Sequence, residues 1–163
     1  MITVRELRAD DDLDSVLKLC RDFFHEYEMH HEEFFDLDNL TDDDISGRIV
    51  SSISDNESAT LIALKSDLII GYASLVIRDQ PRFYKVKKVG AISALMVAKE
   101  SRRKGAATLL IKEAERWFRE REIKYFTFFT AIANRGATRF YERIGFTPLH
   151  VSFVGATKSG EEE

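Results

Sequence analysis

One stretch of the chain, residues 92–108, constrains the fold more than any other. It reads ISALMVAKESRRKGAAT, an apolar strand followed by a basic turn of small residues and the start of an amphipathic helix. The first backbone N–H groups of a helix have no partner inside the helix, and the aligned peptide dipoles favour negative charge there. The sequence therefore predicts an anion site at this turn.

The residues of the turn suit a polyphosphate. Gly105 lacks the Cβ that would keep a ligand away from the backbone, and the next two residues, Ala106 and Ala107, have small side chains. Positive charge comes from three consecutive side chains, Arg102, Arg103 and Lys104. The alternative is a solvated basic loop with an ordinary turn glycine. Neither G-x-x-x-x-G-K-[ST] nor G-x-G-x-x-G is present, which argues against a nucleoside-triphosphate machine.

Two blocks of the sequence resemble the signatures of the GCN5-related N-acetyltransferase (GNAT) superfamily. Residues 102–107 match the pattern R/Q-x-x-G-x-G/A between a strand and a helix. The pattern N-x-x-A-x-x-F-Y-x-x-x-G-F is matched by Asn134, Ala137, Phe140, Tyr141, Gly145 and Phe146. The blocks occur in the expected order, and the surrounding elements fit from residue 2 to about residue 155.

The hydrophobic pattern predicts which segments form the fold. Strands are expected at 2–8, 59–64, 68–77, 89–97, 125–131 and 147–155, with a bulge at Gly71. Helices are expected at 13–27, from Thr41 to about residue 56, from the basic turn to residue 122, and at 134–144. We predict a single α/β domain over residues 1–158, followed by a disordered tail at 159–163. Its mixed, mostly antiparallel sheet carries helices on both faces, as in the GNAT fold.

Composition excludes several classes of function. Lys plus Arg number 24 and Asp plus Glu 28, so a net charge of −4 argues against nucleic-acid binding and against an anionic membrane surface. The N-terminus lacks the apolar core of a signal peptide, and no apolar run is long enough to span a bilayer, so we expect a cytoplasmic protein. The single cysteine, Cys20, falls on an apolar helix face and is expected in the core.

The resemblance implies acetyl-CoA as the acyl donor and no metal. In the family the coenzyme diphosphate lies at the helix start and the pantetheine arm bonds to a strand edge, which here implies Leu95, Met96, Val97, Arg102, Arg103, Lys104, Gly105, Ala106, Ala107 and Thr108. Tyr141 takes the position of the acid that protonates the departing thiolate, although it also adjoins a core stripe. Asn134 is expected to cap a helix and to contact the coenzyme.

The acceptor amine and the base that deprotonates it are less defined. Many family members use a glutamate where this chain has Ser93, which cannot act as a base without a partner. Between residues 22 and 47 the charged side chains are all acidic, so Glu26, His30, His31 and Glu33 are candidates for attracting and deprotonating a cationic amine. The alternative is a solvated acidic face. The three histidines near this segment lack the H-E-x-x-H spacing of a zinc site.

The sequence therefore predicts an enzyme that transfers an acetyl group from acetyl-CoA to a primary amine by direct attack in a ternary complex. The acceptor is expected to be a cationic small molecule or a peptide amine. Its alternative is a non-catalytic acyl-CoA-binding regulatory module, since the strand carboxylate is missing. The oligomeric state stays open, with a homodimer as one option.

Overall fold

The polypeptide alternates between sheet and helix in nearly the predicted order. The computed structural model describes residues 1–29, 39–155 and 157. Its strands are β1 (Ile2–Glu6), β2 (Ser58–Lys65), β3 (Leu68–Asp79), β4 (Lys88–Val97) and β5 (Phe126–Phe128). Its helices are α1 (Leu13–Glu28), α2 (Asp42–Ser51), α3 (Ala106–Glu120) and α4 (Arg135–Arg143), and a 3-10 turn covers Lys99–Ser101. None of these helices combines the length and apolar character needed to cross a bilayer.

The five strands form one sheet in the order β1-β2-β3-β4-β5. The first four pair antiparallel, and β5 runs parallel to β4. This confirms the predicted mixed, mostly antiparallel sheet. A register shift beside Ala63 leaves Ile70 as the extra residue, directly before the predicted bulge position Gly71. A Cβ added to Gly71 would lie 2.9 Å from the Met96 carbonyl oxygen, so β3 and β4 approach closely there.

Each face of the sheet has its own apolar core because side chains alternate along the strands. Leu61 of β2 packs with Leu110 and Phe118 of α3, whereas its neighbour Ile62 packs with Val16 of α1. The predicted helices on both faces are therefore present. Cys20 is 3% exposed in the α1 core, as predicted.

The C-terminal part differs most from the sequence prediction. The strand expected at 125–131 is only three residues long, and the strand expected at 147–155 is wrong, because these residues form none. Leu149, Val151 and Phe153 alternate as in a strand, yet each is exposed. An alternating pattern forms a strand only where another strand supplies backbone hydrogen bonds, and in the described chain no strand pairs with the outer edge of β5.

The second helix is also shorter than predicted, ending at Ser51. The Ser52 hydroxyl donates to the Ile49 carbonyl oxygen at 2.6 Å and lies 2.9 Å from the Thr60 hydroxyl. These contacts tie the end of α2 to the sheet.

Candidate functional site

The two strands at the parallel edge of the sheet separate soon after they pair. Residues 90–92 of β4 pair with residues 126–128 of β5, and the ladder stops there. Ser74 pairs with Ala94 while Leu75 pairs with Ile92, so Ser93 is an extra residue in β4 at the same point. A bulge bends its strand and increases the local twist. Beyond it, a cleft of about 1400 Å³ opens between the strands, with residues 92–97 along one side.

The turn between β4 and α3 forms one end of this cleft. Among the described residues, no backbone N–H group from residue 103 to residue 108 makes a hydrogen bond. The other three helices are capped by the side chains of Asp12, Thr41 and Asn134. By contrast α3 starts at Gly105 without a side-chain cap and without an acidic residue in its first turn. Six adjacent N–H donors without a partner among the described residues are the kind of helix start that binds anions, as expected for this turn.

Backbone conformation explains the glycine at this helix start. Gly105 has a φ of 90°, a left-handed conformation in which a side chain is strained. No protein atom lies within 4 Å of a Cβ built on it. The space beside the turn is therefore open to a ligand.

The three basic side chains of the turn have different surroundings. Arg102 donates to the Val97 carbonyl oxygen at 2.9 Å and to Glu26 Oε1 at 2.7 Å, so it joins the end of β4 to α1. Lys104 donates to the Glu100 carbonyl oxygen. Arg103 is exposed and makes no hydrogen bond or ion pair among the described residues, which leaves its guanidinium available to an anion.

The strand edge predicted to hold the pantetheine arm also lines the cleft. Leu95, Met96 and Val97 are all part of its wall. One of the expected free backbone groups is occupied, since the Val97 carbonyl oxygen accepts the bond from Arg102. This bond between Arg102 and Val97 was not predicted from the sequence.

Helix α4 places the predicted acid on the opposite wall. The ring of Tyr141 lies 4.1 Å from that of Phe128 and 5.3 Å from that of Phe140, measured between centroids. Burial raises the pKa of the Tyr141 phenol above its ordinary value of 10.0, so the group keeps its proton at neutral pH. Its hydroxyl makes no hydrogen bond among the described residues. Asn134 Oδ1 accepts from the Ala137 N–H at 3.1 Å and caps α4, as expected.

The predicted acceptor-side residues are only partly brought together. Glu26 and Ser93 both line the cleft, and the Ser93 hydroxyl donates to the Ser74 carbonyl oxygen at 3.3 Å. Glu26 is half-buried, and Lys99 Nζ lies 3.9 Å from its Oε1 in addition to Arg102. His30, His31 and Glu33 lie outside the described residues. Within the part of the chain that is described, no group of three His, Cys, Asp or Glu residues could hold a metal ion.

Sequence reasoning missed the aromatic side chains of the cleft. Phe23 and Tyr27 of α1 and Phe129 after β5 line it. The first two are four residues apart, a spacing that places them on one helix face and that could have drawn attention to them. Nothing in the sequence indicates that Phe129 meets them.

Comparisons with known proteins agree with this fold. The model of the acetyltransferase (GNAT) family matches residues 13–146. No curated protein matches the chain. The aminoglycoside acetyltransferase AAC(6')-Iy, solved with the bisubstrate analogue CoA-S-monomethyl-acetylneamine, is 17% identical, with a TM-score of 0.78 over 98% of this chain and 99% of that one.

Two further solved structures are similar over nearly the whole chain. BH1408 from Bacillus halodurans is 17% identical, with a TM-score of 0.80 over 95% of this chain and 99% of that one. The aminoglycoside acetyltransferase meta-AAC0020 from an uncultured soil metagenomic sample, solved with sisomicin, is 19% identical, with a TM-score of 0.69 over 96% and 97%. At these identities the likeness shows the fold alone.

Proposed function

The chain belongs to the acetyltransferase (GNAT) family, and we propose that it transfers the acetyl group of acetyl-CoA to a primary amine by direct attack in a ternary complex. The observation that carries this proposal is the cleft between β4 and β5, which has six unpartnered N–H donors at one end and a protonated tyrosine on its wall. The N–H donors suit the diphosphate of acetyl-CoA, and the tyrosine can protonate the leaving thiolate.

The donor would be held along β4. The unpartnered N–H groups of residues 103–108 and the Arg103 guanidinium suit a diphosphate, since helix-start donors and a cation bind the same anion. Leu95 and Met96 offer strand-edge groups to an amide-containing arm. We propose that these contacts aim the thioester carbon at the Ser93 bulge.

The chemistry follows from this placement. An ammonium acceptor first loses one proton to water, which gives its nitrogen the lone pair that attacks the thioester carbon. A C–N bond forms and the C–S bond breaks, the nitrogen loses a second proton, and the sulfur takes the proton of the Tyr141 hydroxyl. Both nitrogen protons leave through water, and Tyr141 is reprotonated from solvent. Fixing two reactants side by side supplies effective molarities of about 10⁵ to 10⁸ M. We propose that positioning is the main source of rate.

The acceptor is proposed to be cationic and to approach past Glu26, a carboxylate that α1 contributes to the cleft wall. Ser93 is not assigned as the base, because its hydroxyl donates to a backbone carbonyl and no carboxylate of the described residues bonds to it. The missing strand carboxylate supports a second candidate function, that of a non-catalytic acyl-CoA-binding module.

We also propose that the protein is cytoplasmic and that residues 1–158 form one domain.

Free-thiol release from acetyl-CoA, measured across a panel of amines, tests the proposal. The wild type is expected to turn over at least one amine, and Tyr141→Phe is expected to lower kcat by about 10² to 10⁴-fold while the KM for acetyl-CoA stays within twofold. Tyr125→Phe is the matched control, because this exposed tyrosine lies outside the cleft.

Two outcomes would contradict the assignment. Coenzyme A binding without turnover of any amine would favour the non-catalytic module. Equal kcat values for Tyr141→Phe and Tyr125→Phe would remove Tyr141 as the acid.

A further inference from the structure

Three aromatic rings and one carboxylate form a continuous wall in the cleft. Phe23, Glu26 and Tyr27 occupy positions i, i+3 and i+4 of α1 and all line the cleft. The ring centroids of Phe23 and Tyr27 are 6.0 Å apart, and Phe129 meets Tyr27 edge-on at 5.8 Å. We call Phe23, Glu26, Tyr27 and Phe129 the aromatic wall.

The aromatic wall lies on the α1 side of the cleft, where Arg102 joins its Glu26 to the turn between β4 and α3. Helix α1 packs on the sheet face that carries Tyr72 and Met96, whereas α3 packs on the opposite face. Phe128 belongs to the α3 side together with Tyr141, and the next residue, Phe129, contacts α1 instead. Phe23, Tyr27 and Phe129 therefore line the cleft on the α1 side of the sheet, apart from Phe128 and Tyr141 on the α3 side.

The chemistry of the wall suits one cation beside an apolar body. Glu26 Oε1 accepts from Arg102 at 2.7 Å and lies 3.9 Å from Lys99 Nζ, so both cations are on that oxygen. Glu26 Oε2 makes no hydrogen bond among the described residues and can accept from an ammonium group. Aromatic faces attract cations and also bury apolar groups. Phe129 is 60% exposed and offers such a face. Burial raises the pKa of the Tyr27 phenol, which therefore stays neutral beside the carboxylate.

Building on the proposed function, we propose that the acceptor is a primary amine attached to an apolar body of about the size of one ring, such as an arylalkylamine. Its ammonium group binds to Glu26 and loses a proton to water to become the attacking amine, while its body packs against Phe23 and Phe129. A polyhydroxylated polycation would instead place hydroxyl groups against these rings, where they find no hydrogen-bonding partner.

Binding and turnover are measured separately. Calorimetric titration of 2-phenylethylamine into the protein saturated with coenzyme A measures binding without chemistry. Steady-state rates with acetyl-CoA then compare 2-phenylethylamine, ethylamine and the aminoglycoside kanamycin. We expect 2-phenylethylamine to bind, and its kcat/KM to exceed that of each other amine by about tenfold or more.

Variants assign this preference to the wall. Phe129→Ala is expected to lower kcat/KM for 2-phenylethylamine by about tenfold, to change that for ethylamine by less than about twofold, and to leave the KM for acetyl-CoA unchanged. Phe83→Ala is the matched control, because Phe83 is 83% exposed in the loop between β3 and β4 and does not line the cleft. It is expected to change none of these values.

The results separate this inference from the proposed function. A higher kcat/KM for kanamycin, or equal losses for both small amines in Phe129→Ala, would overturn the aromatic wall as the acceptor site while leaving the acetyltransferase intact. Binding of 2-phenylethylamine, lost in Phe129→Ala, without turnover of any amine would support the wall and overturn the acetyltransferase. Neither binding nor turnover would overturn both.

Discussion

Replacing Gly105 with alanine tests whether the diphosphate lies at the start of α3. Gly105 has a φ of 90°, and a side chain in the left-handed region costs about 1 to 2 kcal/mol. No protein atom lies within 4 Å of the added Cβ, so no steric penalty is added to this strain. In a domain of this size the melting temperature falls by about 2 to 4 °C per kcal/mol, so we expect a loss of roughly 2 to 8 °C.

We expect Gly105→Ala to weaken the free energy of coenzyme binding by more than it lowers the free energy of unfolding. Gly105 lines the cleft, and the new methyl group would stand in the open space beside the unpartnered N–H groups. A hydrogen bond to a charged group contributes about 1.5 to 3 kcal/mol, so losing one raises the Kd for coenzyme A by about ten- to a hundredfold. Isothermal titration calorimetry measures this Kd directly.

Gly145→Ala is the matched control for backbone strain. Gly145 has a φ of 100°, its added Cβ also meets no atom within 4 Å, and it lies outside the cleft lining. Its melting temperature should fall by a similar amount while its Kd for coenzyme A stays within about twofold of the wild type. If both variants weakened binding equally, or neither did, the diphosphate would not lie at Gly105.

The remaining predictions concern the core. Gly90→Ala would place a Cβ 2.5 Å from the ring of Phe118, which is 1% exposed, so we expect a loss of about 1 to 3 kcal/mol in urea unfolding. Gly47→Ala, in the interior of α2 where the added Cβ has open space, should instead raise the free energy of unfolding by about 0.5 to 1 kcal/mol. If both substitutions changed the free energy of unfolding in the same direction, the clash with Phe118 would be contradicted. Burial raises the pKa of the Cys20 thiol from 9.0 to about 11, so its contribution to the free energy of unfolding is complete below pH 9 and is lost as the pH rises to 11. This decline should be smaller in Cys20→Ala, and identical pH profiles for the two proteins would refute it.

The features predicted correctly from the sequence are those set by neighbouring residues. Helix α3 follows from apolar residues at helical spacing, and its uncapped start follows from Gly105 standing where other helices have a capping side chain. The two capping side chains Thr41 and Asn134 were recognisable for the same reason. Local backbone preferences act over a few residues, so they can be read from a short stretch of chain.

The site itself depends on contacts between distant parts of the chain. Arg102 and Glu26 are separated by 76 positions, and the contact of Phe129 with Tyr27 likewise joins α1 to the segment after β5. An alternating pattern forms a strand in β1, which pairs with β2, but not at residues 147–155, because pairing depends on a neighbouring edge.

The sequence by itself determined the strand, the turn and the helix start with its free N–H groups, because hydrogen-bonding groups and allowed dihedral angles there belong to consecutive residues. Only the tertiary structure decided where β4 leaves β5, since the extra residue at Ser93 is defined by its pairing with β3. It also decided which side chains face the resulting opening, because that depends on how α1, β5 and α4 pack around it.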